Sequence, residues 1–222
     1  GDLFDFRQDD DWVYFAGEAK TAYLHLDLEH FTRHVLWLKP DLFVIYDQVE
    51  APEAHTYQYL LHAVNEMGID EASQQVQIEN GAAQCRVTLL QPTDLRFSQT
   101  DEFDAPPVKW REDRHFEMVD QWHLTASTEE PTQSRRFLSV IEVGRSGERY
   151  APDITATGGD GWLGAEITRD GETITVGFAD ETVGEDGVLP RVDMTPGGLE
   201  VAGFAAAVKS ANGETSEIAA IR

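Results

Sequence analysis

Alternation of apolar and polar residues with a period of two dominates the first half of this sequence. Within Thr21–Glu29 the apolar residues fall on one side of an extended chain, and the polar residues fall on the other. Successive side chains of a β-strand point to opposite faces of a sheet. The pattern therefore predicts a half-buried strand over Thr21–Glu29. No segment shows a convincing helical period of 3.6 residues, so we expect little helix.

The segments that follow predict an antiparallel sheet. Arg33–Leu38 is apolar enough to be covered on both faces, and Lys39-Pro40-Asp41 is typical of a turn. Leu42–Val49 predicts the next strand. Ala51-Pro52-Glu53 then predicts a turn, after which His55–Val64 would return as a strand. Four strands joined by short links favour antiparallel neighbours.

The rest of the chain continues in the same way. Asn80-Gly81 and Asp170-Gly171 each separate two strand-like runs, which is a strong hairpin signal. The predicted strands are Gln75–Glu79, Gln84–Leu90, Trp122–Ser127, Arg136–Val143, Trp162–Thr168, Glu172–Phe178, Leu199–Val208 and Ser216–Ile221. Three stretches, 100–120, 144–161 and 180–198, predict long loops. We therefore expect an all-β fold, a large antiparallel β-sandwich with long loops and little helix, forming a single domain over residues 1–222.

The charge of the chain excludes several classes of partner. There are 17 Lys and Arg against 41 Asp and Glu, so the formal net charge is −24. Phosphates would be repelled, which argues against nucleic acid and against anionic membrane surfaces. No apolar run is long enough for a membrane span, and the single Cys85 permits no intrachain disulfide. Because the acids are spread evenly, we interpret them as solvating the outer surface, with calcium binding along that surface as the alternative.

One histidine and one glycine motif are informative about a site. His62 interrupts the apolar run Tyr59–Val64, and a buried imidazole must be hydrogen-bonded or metal-bound to offset its desolvation. The strand pattern alone favours a hydrogen-bonded core histidine.

Residues 159–164 fit GxGxxG but lead into a predicted strand, so a dinucleotide site is not expected. Paired carboxylates are too numerous among 41 acids to identify a catalytic pair.

From residue 14 to residue 143, an ordered series of motifs resembles the C-terminal β-sandwich of heparinase II/III-like polysaccharide lyases. The most specific part is the order of features along the chain. An arginine begins an apolar strand that ends in Lys-Pro, a second apolar strand containing an aspartate follows, and Leu-Leu-His comes later. The segments concerned are Tyr14-Phe15-Ala16-Gly17-Glu18, Thr21-Ala22-Tyr23, Arg33–Pro40, Leu42–Val49, Tyr59–His62, Trp122-His123-Leu124 and Phe137–Ile141. The C-terminal third matches only in general character.

This resemblance implies a function and partners. Members of the family join an N-terminal helical toroid to the sandwich and cleave uronic-acid polysaccharides by β-elimination. Their catalytic Tyr lies in the toroid, and a catalytic His lies at the start of the sandwich. Both would precede Gly1, so this chain would be inactive alone and would represent part of a longer secreted or periplasmic bacterial enzyme. The expected partners are an acidic polysaccharide or oligosaccharide and the toroid, with no nucleic acid and no membrane. A non-catalytic carbohydrate-binding or structural sandwich is the alternative.

The resemblance also implies particular residues. A structural zinc of the heparinase II type would involve His62 and Glu18, where the relative has Asp, and a further His upstream of Gly1. Arg33 and Asp47 match prominent family positions and would pair at a sheet edge or anchor a turn. Trp110, in the first long loop, is the candidate for stacking on a sugar ring.

Overall fold

A computed structural model describes residues 1–23, 27–103, 121–151, 153–183 and 188–222. These residues form strands and two short 3-10 turns, Lys20–Tyr23 and Pro196–Gly198, without any α-helix. No helix among them is long and apolar enough to cross a membrane. The strands are β1 (Asp2–Gln8), β2 (Trp12–Glu18), β3 (His30–Leu38), β4 (Leu42–His55), β5 (Gln58–Ala63), β6 (Gly68–Asp70), β7 (Gln75–Asn80), β8 (Ala83–Gln91), β9 (Leu95–Thr100), β10 (Trp122–Thr128), β11 (Thr132–Arg145), β12 (Asp153–Gly159), β13 (Trp162–Arg169), β14 (Glu172–Ala179), β15 (Val192–Met194), β16 (Val201–Gly203), β17 (Ala205–Ala211) and β18 (Glu214–Ile221).

Three antiparallel sheets and one hairpin contain all of these strands. The central sheet has eight strands in the order β1-β2-β3-β4-β11-β8-β7-β6. The small sheet has the order β5-β10-β9, and the C-terminal sheet has the order β12-β13-β14-β17-β18. The β15-β16 hairpin packs on the C-terminal sheet through a cluster that includes Met194, Val201 and Val208.

The central sheet lies between the other two, because both of its faces are apolar. Along β4, Val44 and Tyr46 belong to one core with residues of the C-terminal sheet, such as Phe178. Val49 points the other way and belongs to a second core with residues of the small sheet, such as Leu124. Full burial of each such side chain stabilises the fold by about 1.5–3 kcal/mol. The molecule is therefore a three-layered β-sandwich.

The predicted fold class is confirmed. The structure is an all-β antiparallel sandwich, and Arg33–Leu38 forms most of β3, which has covered side chains on both faces, such as Val35 and Leu36. The hairpins at Asn80-Gly81 and Asp170-Gly171 are both present as β7-β8 and β13-β14. Regular alternation and Asn-Gly or Asp-Gly turns thus located most strands.

The strand predicted over Thr21–Glu29 is wrong. Residues Lys20–Tyr23 form a 3-10 turn, in which the amide of Ala22 donates to the carbonyl of Ala19. The carboxylate of Glu18 accepts a hydrogen bond from the amide of Lys20 at 2.6 Å. This local side-chain contact replaces a strand ladder, which alternation alone does not reveal.

The turn predicted at Ala51-Pro52-Glu53 is also wrong. Strand β4 runs on to His55, and its pairing with β11 is irregular between Thr132 and Ser134. A proline cannot donate to a ladder, but an irregularity of this kind tolerates it. The following strand β5 then leaves the central sheet and pairs with β10 in the small sheet.

Two predicted loops and one predicted strand also need correction. The range 144–161 contains β12, which pairs with β13 from Asp153 to Gly159. A Cβ on Gly159 would clash with the indole of Trp162, so glycine is needed at that position. The range 180–198 contains β15. The predicted strand Leu199–Val208 is divided into β16 and β17, because Phe204 between them turns into the core.

Candidate functional site

A cavity of about 450 Å³ lies between the central sheet and the small sheet. It forms where β4 ends and the chain crosses from the central sheet to β5 of the small sheet. The lining residues come from the 3-10 turn, β3, β4, β5 and β11, and from the connections before β3 and between β4 and β5. They are Tyr23, Leu28, Phe31, Arg33, Asp47, Val49, His55, Thr56, Tyr57, Gln58, Tyr59, Leu60 and Phe137. Its size is within the range of small-molecule pockets, which is roughly 300–1,000 Å³.

An ion pair between two neighbouring strands is the polar centre of this cavity. Arg33 on β3 lies opposite Asp47 on β4. The Nε and Nη2 atoms of Arg33 donate to the two carboxylate oxygens of Asp47, each at 2.7 Å. The Asp47 side chain is only 3% exposed, whereas that of Arg33 is 47% exposed. The carboxylate is thus held inside the protein, and the guanidinium faces the opening.

The environment of this pair fixes its charge state. The hydrogen bonds that Arg33 donates to Asp47 raise the pKa of Arg33, so the guanidinium stays protonated. Burial raises the pKa of Asp47, and the hydrogen bond and charge of Arg33 oppose that rise. A bidentate contact of this kind is the geometry in which arginine best compensates a buried carboxylate. Neither group is suited to exchanging protons with a substrate.

Aromatic rings form the walls of the cavity. The ring of Tyr59 lies beneath Arg33, with 5.9 Å between the ring centroid and Cζ, a cation–π distance. Its hydroxyl is hydrogen-bonded to Ser139 at 3.1 Å. The rings of Tyr23 and Phe31 contact each other, with their centroids 5.3 Å apart. The site thus combines one accessible cation with apolar surfaces, an arrangement that can hold a ligand with an anionic group and an apolar face.

Glu18, the proposed zinc ligand at the end of β2, is used by the backbone. Its Oε1 atom accepts hydrogen bonds from the amides of Lys20 at 2.6 Å and Phe31 at 3.3 Å. The carboxylate therefore joins the 3-10 turn to the start of β3. This contact gives the acid after Gly17 a structural role.

His62 is not the buried histidine that the apolar run predicted. The side chains of β5 alternate, so that Tyr59 and Ala63 are buried in the small-sheet core while His62 is exposed on the outer face. Across the ladder, His62 lies opposite His123, with 6.0 Å between ring centroids. The alternation was hidden because Leu60 on the exposed face is also apolar, with 56% of its surface accessible.

The described residues do not fit a shared zinc site. Glu18 lies in the central sheet with its carboxylate in backbone hydrogen bonds, whereas His62 points outward from the small sheet. Within the described ranges, no three His, Cys, Asp or Glu side chains come together in a way that could hold a metal ion. Zinc needs three or four close ligands, and the described residues alone do not provide them. Trp110 belongs to residues 104–120 and lies outside the described residues.

Arg33 and Asp47 were identified from the sequence, but the cavity around them was not. Their pairing follows from the short turn that makes β3 and β4 neighbours. Tyr57 and Tyr59 reach the same place only because β5 crosses to another sheet. The sequence does show an apolar or aromatic residue at every second position of β5, which predicts a strand. It does not indicate which sheet that strand joins.

Comparison with known proteins shows similarity in fold. No protein-family model matches the sequence, and no curated protein matches it. Among solved structures, the heparan sulfate lyase HepC from Pedobacter heparinus aligns with a TM-score of 0.61 at 11% identity, over 82% of this chain and 28% of that chain. A heparinase III structure aligns with a TM-score of 0.58 at 14% identity, over 80% and 27%. A further heparinase III gene product aligns with a TM-score of 0.57 at 12% identity, over the same shares. The chain thus has a heparinase-like fold and spans little more than a quarter of the length of these proteins.

Proposed function

We propose that this chain is the β-sandwich part of a heparinase-like polysaccharide lyase that cleaves uronic-acid-containing polysaccharide by β-elimination. The observation that carries the proposal is the fold: about four fifths of the chain aligns with lyases that are about three times as long. The sandwich would pack against a helical toroid and form one wall of the substrate cleft. The whole protein would be a secreted or periplasmic bacterial enzyme.

The chemistry of β-elimination is consistent with anion binding by this chain and acid–base catalysis by the rest of the enzyme. The uronate carboxylate must be neutralised so that the neighbouring C5 proton becomes acidic, a base must remove that proton, and an acid must assist the leaving oxygen. In the cavity, Arg33 is a permanent cation and Asp47 is buried in an ion pair. This ion pair can therefore bind an anion but does not supply a base. The catalytic base and acid would come from the rest of the enzyme.

The test compares the lyase activity of this chain with that of the longer coding sequence that contains it. The assay measures unsaturated uronate ends released from heparan sulfate, unsulfated glucuronan-type polymers and alginate. We expect product from the longer protein and none from this chain. If this chain alone released product, the proposal that its catalytic residues lie elsewhere in the enzyme would be refuted. A longer protein that is folded but inactive on every uronate polymer would refute the lyase assignment.

A second candidate function is a non-catalytic carbohydrate-binding module. The cavity favours it, since aromatic walls beside the accessible guanidinium of Arg33 can hold a charged sugar without any reaction. The proposal predicts that this chain binds acidic glycans on an array, and that Trp110→Ala weakens binding because that indole would stack on a sugar ring. Glycan binding together with an inactive longer protein would favour this function. Failure to bind any glycan would count against it.

A further inference from the structure

We propose that the cavity around Arg33 binds one acidic sugar unit, with the guanidinium on its carboxylate or sulfate and the aromatic wall against its ring. The inference rests on the proposed function for its ligand class and extends it to a specific subsite. It assigns Arg33 a binding role in addition to its ion pair with Asp47. The geometry, the local charge and the lining each support this assignment.

The guanidinium is fixed in place and still has a donor group to offer. The ion pair occupies Nε and Nη2 and does not involve Nη1. Close to half of the Arg33 side chain is accessible, and the Tyr59 ring supports it from below. Because Asp47 and Tyr59 already hold the side chain, binding an anion would immobilise it little further. Preorganisation of this kind lowers the entropic cost of binding.

The local charge of the cavity differs from that of the whole protein. The formal net charge of the chain is −24, so most of its surface repels an anion. Among the described lining residues, however, Asp47 is the only acid, and it is buried and paired. Arg33 and His55 are the titratable bases of the same lining. An anionic ligand that enters the cavity therefore meets a cation and no uncompensated carboxylate.

The remaining lining suits a pyranose ring. Phe31, Tyr57 and Tyr23 present aromatic surface, on which the apolar face of a sugar can lie. Thr56 and Gln58 are exposed at the crossing between the two sheets and can form hydrogen bonds with sugar hydroxyls. A volume of about 450 Å³ accommodates one or two sugar units. The site would therefore be a subsite for part of a polymer, with the chain continuing through the open side.

The test measures binding of defined oligosaccharides to this chain by isothermal titration calorimetry at physiological ionic strength. The probes are an unsulfated glucuronate-containing tetrasaccharide, a sulfated heparan sulfate tetrasaccharide and neutral cellotetraose. We expect at least one acidic probe to bind roughly tenfold or more tightly than cellotetraose, because a charge-assisted contact is lost with the neutral sugar. The two acidic probes distinguish a carboxylate from a sulfate as the group on Arg33.

Three variants connect binding to Arg33. Arg33→Lys keeps the charge but loses the planar fork, so we expect about tenfold weaker binding. The double variant Arg33→Leu with Asp47→Leu removes the whole ion pair without leaving a buried charge, and it should abolish binding in a folded protein. Arg96→Gln is the matched control. Arg96 forms an exposed pair with Glu129 at 2.6 Å and does not line the cavity, so its loss should leave affinity unchanged.

The outcomes separate this inference from the proposed function. If the folded double variant binds acidic probes as tightly as the wild type, or if cellotetraose binds equally well, the Arg33 subsite is refuted. If the wild-type chain binds none of the probes, the subsite is also refuted, while lyase activity of the longer protein would keep the proposed function intact. If the longer protein is inactive but the chain binds acidic probes through Arg33, the lyase assignment fails and the subsite stands.

Discussion

Burial of His34 should make this protein lose stability in mild acid. The side chain of His34 on β3 is fully buried in the core between the central and C-terminal sheets. Its Nδ1 atom is 2.9 Å from the Tyr14 hydroxyl, and its ring lies among those of Phe4, Tyr46 and Phe204. Its Nε2 atom is buried without a hydrogen-bond partner among the described residues. A proton on this ring would bring a positive charge into an aromatic core.

The magnitude follows from the shift in its pKa. Desolvation lowers the pKa of His34 from 6.5 to about 3 in the folded protein. Because the folded pKa is below the unfolded one, protonation favours the unfolded state. The contribution of His34 to stability is complete above pH 6.5 and is lost as the pH falls towards about 3. At pH 5 the loss is already about 2 kcal/mol, since each pKa unit corresponds to about 1.4 kcal/mol.

The assay is urea unfolding of the wild type and of His34→Leu at about pH 8 and about pH 5. The quantity of interest is the change in unfolding free energy between the two pH values, because the other titrating groups contribute equally to both proteins. We expect this change to be smaller in His34→Leu by about 2 kcal/mol. His62→Leu is the control, since it removes an imidazole that is exposed in the folded state.

Three results would refute the reasoning. The same acid-induced loss in His34→Leu and in the wild type would show that His34 is not the group that takes up the proton on unfolding. If His62→Leu reduced the pH dependence of the unfolding free energy as much as His34→Leu does, burial of the imidazole would not be the cause of that dependence. An imidazole signal of His34 that titrates near neutral pH in NMR spectra of the folded protein would contradict the mechanism directly.

Other predictions concern charged side chains. Arg33→Met should lower the unfolding free energy in urea by about 3–5 kcal/mol, since it leaves the buried Asp47 unpaired; a loss below 1 kcal/mol would contradict this. Arg136→Met should cost about 2–3 kcal/mol in the same assay, because its side chain joins β11 to carboxylates on β4 and after β14; no measurable loss would contradict a role in holding the layers together. Glu18→Gln and His62→Ala should leave the zinc content of the purified protein unchanged by elemental analysis, because these residues do not form a shared site. Loss of stoichiometric zinc in both variants would contradict the geometry.

Much of the fold could be predicted because strand formation depends on local patterns. Alternation and Asn-Gly or Asp-Gly turns located β7, β8, β13 and β14 nearly to the residue. The partner of a strand is not a local property. Strand β5 follows β4 directly yet joins another sheet, and no pattern within Gln58–Ala63 specifies that. The layer formed by the small sheet depends on this crossing.

The candidate site was predictable only in part, for a related reason. Arg33 and Asp47 pair across adjacent strands, so a short turn and correct register suffice to bring them together. The aromatic wall depends on where β5 lies. Glu18 and His62 were interpreted as metal ligands from a resemblance in sequence order, but order along a chain does not fix which face a side chain occupies. A shift of one position in a strand moves it to the opposite face.

A chain with a net charge of −24 can bind an acidic ligand only if a cation attracts the ligand at the binding site itself. The rest of the surface would repel it. Eight arginines in the described residues form ion pairs with carboxylates, which neutralises them: Arg7, Arg33, Arg86, Arg96, Arg135, Arg136, Arg169 and Arg222. Arg33 differs because its carboxylate is buried while its guanidinium faces a cavity with apolar walls. Salt screens exposed charges over about 8–10 Å, but it weakens contacts in partly buried sites much less. Ions in solution would therefore reduce the repulsion from the outer surface more than the attraction at Arg33. Under the proposed function, the acidic surface would oppose nonspecific adsorption of polyanions, while Arg33 would select a sugar unit that reaches the cavity.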